Sequence, residues 1–591
     1  VPLISRLRRY TPSDFKADAI AGITVAVVLV PQAMAYAVLA GLPPVVGLYA
    51  ATIPALVYAW IGSSRHMAIG PVAIVSLLIA SGLGEFAEIG TALHSELAIL
   101  LCFLVSGIFF VLGLIRAGFL VNFISHPTIL GFNGGAALLT GASQLRSFFG
   151  VPKSAIPGLQ ATRPWPVLLH LDRTHLTTMV VAAVTLALLI GLRRFAKKLP
   201  AYLIVCVLGT LASWWFDLSA RGVGIIGDIP TGMPSPRLPH FEWGTMLDLL
   251  PTALAIVIVG YSSSITVVKA LAAKENDSLQ PNRELWAFGF ANLASGLFGA
   301  FPVTAGLARS TVAAQAGART QLTCFLSSVV VLAVLFYLAP LFELLPHPVL
   351  ASIIIIAASR LFDIRGAISV FRTKRTDGIT IVAAFVGTIA LGLQEGLAIG
   401  MLAAILFFVA RSTRPHNVEL GRIPGTQVYR NAKRFEVETC PQIGLLRIDA
   451  PLYYANARFL EDRILAMFAA RPQMKLLALD CASVNDMDAT AAQSLRRIIE
   501  NLRDQDHDLH LVAAIGPVRD LLDRSGLAEL IGSNNMHRTL LEAAPLLMAA
   551  VSRTFCEQSC RSSAFPECTQ IRRPQQPSEE PAGAAAQGTP N

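Results

Sequence analysis

The segment SRHMAIGPVAIVSLLIA, residues 64–80, is apolar yet begins wrongly for a membrane-crossing helix, and the reading of that start decides the fold. Arg65 and His66 lead through Gly70 and Pro71 into a helical pattern too short for roughly 30 Å of hydrocarbon, which takes about 20 residues to cross. The segment reads as a half-helix. Proline is tolerated in a first turn because that N–H has no intrahelical partner, and glycine lets the backbone approach a ligand closely. A helix N-terminus left open in mid-bilayer carries about half a positive charge and several free N–H donors, so it attracts an anion. Broken helices at this depth form the substrate sites of transporters. The plainer alternative is that Gly70 and Pro71 end a re-entrant turn buried in protein.

Outward from this segment, composition sets the class. Of 591 residues 54% are hydrophobic and 14% charged, and the mean hydropathy is +0.58, the values of a polytopic membrane protein. No charge interrupts the chain between Asp18 and Arg65. From about residue 435 the charge density becomes that of a soluble domain. The net charge of +9 sits in short loops between apolar spans, which sets orientation and argues against nucleic-acid binding. With so polar and basic a start, no cleavable signal peptide is expected.

Apolar runs predict fourteen spans, near residues 19–39, 47–61, 64–80, 96–115, 124–144, 176–192, 201–216, 250–271, 285–300, 304–316, 322–341, 348–361, 379–393 and 396–410. The first contains Pro31 and Gln32 and is expected to be interrupted there. Arg6, Arg8, Arg9 and Lys16 place the N-terminus in the cytoplasm, and the even count returns the chain there. The expected organisation is a cytoplasmic segment 1–18, a membrane domain 19–412, a linker 413–434, a cytoplasmic α/β domain 435–550 and a disordered tail 551–591.

The spans divide seven and seven, in repeats of about 19–216 and 248–411. Around the tenth the chain reads SGLFGAFPVTAGLARSTVAAQAGA, a second small-residue break with Pro-Val, at Pro302 and Val303, where the first has Pro71 and Val72. An odd number of spans per repeat inverts the second, so the two half-helices would face one another across a shared site. Arg309 lies in the second half-helix, where a charge costs about 2.5–3.5 kcal/mol unless it meets protein, water or an anion. It reads as part of an anion site or as a strut on backbone carbonyls.

The segments VPQAMAYAVLAGLPPVVGLYAATIPALVYAWIGSSRHMAIGPVAIVS (30–76) and PNRELWAFGFANLASGLFGAFPVTAGLARSTVAAQAGART (281–320), with DAPLYYANA and VNDMDATAA near the C-terminus, resemble the sulfate permease (SulP) family of anion transporters with its STAS domain. The resemblance implies a UraA-like seven-plus-seven inverted repeat of 14 spans followed by a small α/β STAS domain, divided into core and gate and usually homodimeric. It implies an anion site at Gln32 and Tyr36, at Gly70, Pro71, Val72 and Ala73, at Ser263, and at Thr304, Ala308 and Arg309. Gln32 could instead be helix-to-helix glue and Tyr36 packing. Relatives carry a coupling carboxylate where this chain has Ser263, and no acidic residue lies between Asp248 and Glu275. Exchange of anions is therefore expected over proton or sodium symport; Glu395, the nearest other carboxylate, reads as a surface group. Thr490 falls where related domains are phosphorylated, although Asp488 and Thr490 could simply cap a helix.

Small anions, membrane lipid, a second copy and a protein partner for the STAS domain are the expected partners, in a bacterial inner membrane, and no cofactor is expected. The cysteines make no disulfide framework, and Cys556, Cys560 and Cys568 alone make a poor zinc site. An anion-responsive channel or signalling protein is the alternative reading. A nucleobase transporter suits the positive ends less well, and no nucleophile–base pair or phosphate loop argues for an enzyme.

Overall fold

The computed structural model describes residues 10–119, 125–152, 165–196, 199–230, 232–233, 235–275 and 280–572. Arg6, Arg8, Arg9 and residues 573–591 lie outside them. The chain forms two compact units, Val1–Ile405 and Leu406–Asn591.

Each of the fourteen expected spans is occupied by a helix: α1 (Pro12–Leu39), α2 (Pro44–Ile61), α3 (Ala73–Leu83), α4 (Ala92–Leu114), α5 (His126–Ser143), α6 (Leu176–Phe195), α7 (Ala201–Phe216), α8 (Trp243–Glu275), α9 (Pro281–Leu297), α10 (Leu307–Gln315), α11 (Leu322–Ala333), α12 (His347–Ser359), α13 (Arg375–Ala390) and α14 (Leu393–Thr413). Among the described residues seven helices are long and apolar enough to cross a membrane unaided. The two half-helices, α3 and α10, are short because each is preceded by an extended dipeptide, β1 (Ile69–Gly70) and β2 (Thr304–Ala305).

Packing sorts the helices into two groups. α1–α4 pack mainly with α8–α11, and α5–α7 with α12 and α13. One expectation fails at Pro31, because α1 runs unbroken through it. The helix tolerates the missing N–H where a neighbour packs tightly: a Cβ on Gly47 of α2 would lie 2.0 Å from the Ala33 carbonyl oxygen, so only glycine permits this approach.

The second unit holds a six-stranded sheet in the order β4-β3-β5-β6-β7-β8, formed by Asn417–Arg422 (β3), Tyr429–Asn431 (β4), Ile443–Ile448 (β5), Leu476–Asp480 (β6), Asp508–Val512 (β7) and Met536–His537 (β8). β5 to β8 are parallel, and β3 runs antiparallel to β4 and β5. Alternation along the strands separates two cores. Leu446, Leu477, Leu479 and Leu511 face helices Ala457–Ala470, Ala489–Arg503 and Gly516–Arg524. Ile443, Leu445, Leu476 and Ala478 face the helix Leu540–Ala549 and the segment beyond it. That segment, expected to be disordered from 551, carries the short helices Arg553–Gln558 and Cys568–Arg572 and buries Cys556, Phe565 and Cys568 on the sheet. Without it this apolar face would meet water.

His510 of β7 and His537 of β8 stack with ring centroids 5.3 Å apart and Nδ1 3.0 Å from Nε2, so one ring donates to the other. Burial and then the second ring push His510 down from 6.5 to about 4, with Asp508 raising and Arg503 lowering it more weakly. His537 is lowered too, by burial, against the Glu542 carboxylate. Between pH ~6.5 and ~4 the unfolded chain binds protons that the folded pair refuses, so stability falls on acidification and is constant above that window. Hydrogen exchange of the β7 amides should show a loss on the order of 2 kcal/mol between pH 7 and 5. The double variant His510→Leu with His537→Leu should flatten that profile.

Candidate anion site

β1 and β2 pair antiparallel, Ile69 with Ala305 and Gly70 with Thr304. Because the strands run in opposite directions and each leads into a half-helix, α3 and α10 start at a common level and diverge. The sequence places Pro71 in the first turn; the helix instead starts at Ala73 with Val72 as N-cap, because Gly70 is spent on the strand at φ +153°. Likewise Thr304 stands in β2, and α10 starts at Leu307 after Gly306. Neither N-terminus is capped by a side chain. Two sets of first-turn N–H donors, including those of Ala73 and Ala308, are thereby left open.

Arg309 stands between them. Its side chain is 2% exposed, and its Nη1 donates to the Pro71 carbonyl of the opposite half-helix at 2.6 Å. Its Nε and Nη2 are buried without a partner among the described residues, as is the Thr304 hydroxyl. The guanidinium is thus partly a strut and partly an unanswered cation. A buried charge with open donors is costly unless an anion completes it.

α1, α3, α8 and α10 pack around this point. From α1, Tyr36 is buried within charge-interaction range of Arg309 and Tyr202, and Gln32 is buried beside Tyr202. From α8, Ser263 returns its hydroxyl to its own helix at Val259, 2.6 Å away. The next residue reaches the break: the Ser264 hydroxyl accepts from the Ala305 N–H at 3.1 Å. Glu395 is exposed in the first turn of α14. In the second unit, Thr490 is exposed beside the N-cap Asp488, which accepts from Ala491 N–H at 2.7 Å.

One helix holds both breaks in place. Glu284 of α9 is buried and accepts at Oε1 from the Ser63 N–H (2.7 Å), the Ser63 hydroxyl (2.5 Å) and the Ser64 N–H (3.2 Å). Its Oε2 accepts from the Tyr58 hydroxyl at 2.9 Å. Two turns along, the Asn292 amide accepts from Val303 N–H at 2.8 Å and donates to Val303 C=O at 3.1 Å. The breaks also bind each other, with Ala68 N–H donating to the Ser310 hydroxyl (3.1 Å) and Gly306 N–H to the Ala68 carbonyl (3.1 Å). Sequence reasoning passed over Glu284, Asn292, Ser264 and Ser310. The available signal was a carboxylate at the very start of an apolar span and an amide inside it.

Glycine is required where Arg309 crosses. A Cβ on Gly70 would lie 3.3 Å from Arg309 Nη2, and one on Gly306 2.8 Å from Cζ. Gly70→Ala places alanine in a backbone region essentially confined to glycine, at about 1–3 kcal/mol. It should cut anion uptake about tenfold or more, measured in vesicles matched for protein content.

Two uncapped half-helices opposed across a buried cation, inside a bundle of apolar helices, are the architecture of a polytopic membrane transporter. The comparisons agree. Residues 15–384 match the model of the sulfate permease family and residues 434–543 that of the STAS domain. The chain belongs to the sulfate permease family of anion transporters, and it is not an enzyme. It is 35% identical over 555 residues to sulfate transporter 4.1, chloroplastic, of Arabidopsis thaliana, covering 90% of this chain and 80% of that one. It is 30% identical over 541 residues to the probable sulfate transporter MT1781 of Mycobacterium tuberculosis, covering 91% and 96%. Among solved structures, SLC26A9 superimposes with a TM-score of 0.85 at 23% identity, covering 93% of this chain and 92% of that one. The transmembrane domain of the cyanobacterial bicarbonate transporter BicA gives 0.57 at 23%, covering 67% and 98%.

Proposed function

We propose that this chain carries a small oxyanion or halide across a bacterial inner membrane by alternating access, binding it between the N-termini of α3 and α10 beside Arg309. The observation that carries the reading is the buried guanidinium with two unanswered nitrogens at the meeting of two open helix ends. An anion there completes the Arg309 donors and takes first-turn N–H groups from both sides. Gln32 and Tyr36 wall the site, and the two helix groups move against each other as core and gate. Sulfate is the first candidate, because the relatives are named as sulfate transporters. Bicarbonate, chloride and dicarboxylates share its chemistry.

Exchange is favoured over cation symport. α8, which packs against α3 and α10, carries no acidic residue between Asp248 and Glu275, and Ser263 bonds its own helix. A proton or sodium ion has no carboxylate there to trade places with. The functional particle is a homodimer, with the N-terminus and the STAS domain in the cytoplasm. Labelled sulfate and bicarbonate uptake into proteoliposomes tests the mode. Internal unlabelled anion should accelerate uptake several-fold with no ion gradient imposed. Uptake that needs an inward proton or sodium gradient and ignores internal anion would contradict exchange.

A further inference from the structure

Between α12 and α13 the chain makes a helix that no membrane crossing needs, Ile364–Thr373. The Asp363 carboxylate caps its start, accepting from the Gly366 N–H at 2.9 Å. The helix packs on α13 and α5, and Gly366, Ala367 and Val370 are its half-buried residues. Phe371 lies against Gly378 of α13, where no Cβ would fit.

The rest of its circumference is uncovered, and it is sorted by chemistry. Ile364, Ile368 and Phe371 are 54%, 47% and 47% exposed. At about 100° per residue they fall within about 60° of one another, a continuous apolar stripe. Arg365 and Arg372, both exposed, fall within about 20° of one another and about 80° from the middle of that stripe. Ser369 and Thr373, also exposed, lie beyond the arginines, and the half-buried residues close the circle. Around its axis the helix thus presents hydrocarbon, then cation, then hydroxyl.

The charge balance is one-sided. Residues 360–377 set Arg360, Arg365, Arg372, Lys374 and Arg375 against Asp363 and Asp377. Both acids are engaged, Asp363 as the cap and Asp377 at 3.8 Å from Lys374. The two arginines of the helix are left without an acidic partner among the described residues.

The path of the chain says what covers the stripe. Residues 360–363 link the helix to α12, at most about 14 Å of extended chain, and Lys374 alone links it to α13. Both neighbours belong to the membrane bundle, so the helix is confined to the membrane face. There an apolar stripe edged by arginines matches acyl chains edged by phosphates, the arrangement of helices that lie in the interface plane. Arginine stems reach along the apolar surface while their guanidinium groups stay at headgroup level.

We propose that the helix Ile364–Thr373 lies in the membrane surface and that Arg365 and Arg372 bind the phosphates of anionic phospholipid, fastening the edge formed by α5 and α13 to the bilayer.

The test uses the full chain, first reconstituted in vesicles of phosphatidylcholine and phosphatidylglycerol. Nitroxides are placed at Ile368→Cys or Thr373→Cys in a Cys560→Ser background, the other cysteines being buried. The label at 368 should be reached by oxygen and shielded from a water-soluble nickel chelate, and the label at 373 should show the reverse. In detergent, native mass spectrometry reads the affinity for added phosphatidylglycerol. It should fall about fivefold for Arg365→Gln or Arg372→Gln and about 25-fold for both, with phosphatidylcholine binding unchanged. Equal access of the nickel chelate to both positions overturns the proposal, as does unchanged phosphatidylglycerol affinity in the double variant. A label at 368 shielded from oxygen and chelate alike also overturns it, because protein, such as a second copy of the chain, would then cover the stripe. None of these readouts depends on transport.

Discussion

Arg309→Met should lower the apparent affinity for the transported anion by about two orders of magnitude, while leaving the protein at least as stable as the wild type. Truncating a buried group that answers a charge costs about 2–5 kcal/mol of binding, and 1.4 kcal/mol is tenfold. The stability half of this expectation separates the two roles of the residue. As a strut, Arg309 contributes one hydrogen bond to Pro71, a net gain of about 1 kcal/mol. Against it stands a buried cation with Nε and Nη2 unanswered, a desolvation cost of several kcal/mol. The cost wins in the anion-free protein, so an apolar side chain of similar length does not destabilise it. Thermal unfolding of detergent-solubilised protein, with and without sulfate, measures both halves. Added anion should raise the melting temperature of the wild type and not that of the variant. A lower melting temperature for Arg309→Met in anion-free buffer would make the residue chiefly a strut.

Glu284→Ala should be the most destabilising single substitution among those considered, by about 3–5 kcal/mol, whereas Glu284→Gln should cost about 1 kcal/mol. The alanine leaves the N–H groups of Ser63 and Ser64 and two hydroxyls buried without an acceptor, at about 1–3 kcal/mol for each group that cannot find another. Glutamine keeps one oxygen for the three donors of the break and presents its amide to Tyr58, whose hydroxyl can then accept. Acceptor geometry, not charge, is what the break requires. Transport should follow stability: near normal for the glutamine variant and lost for the alanine variant, because the first break sets where α3 begins. Equal damage from both would show that the negative charge itself is needed.

The fourteen helices were legible because apolar runs separated by basic loops have few other solutions in a bilayer. Both breaks were legible from Gly70–Pro71 and Pro302–Val303, and Arg309 from the cost of a charge inside a span. What held the breaks was not. The pairing of Ile69 with Ala305 joins two dipeptides, far below the length at which strand alternation can be read. Glu284 meets Ser63 across 221 positions, and nothing local announces such a partner. Ser263 and Ser264 differ by about 100° on one helix, and helical phase through three consecutive serines is invisible in the sequence. Pro31 was read as an interruption because its local rule is strong; the tight approach of Gly47 came from another helix. The tail misled for a similar reason. Its composition is polar, but its few apolar side chains and its cysteines find a sheet face and a fourth thiol, Cys440, more than a hundred residues upstream.

The proposed position of the anion is between the two half-helices. Its most direct measurement is an anomalous-scattering map of crystals grown with selenate in place of sulfate. One selenium peak per chain is expected within hydrogen-bonding distance of Arg309 and of the N–H groups that open α3 and α10, absent in Arg309→Met. A peak elsewhere in the membrane unit, with this position empty at saturating selenate, would contradict it.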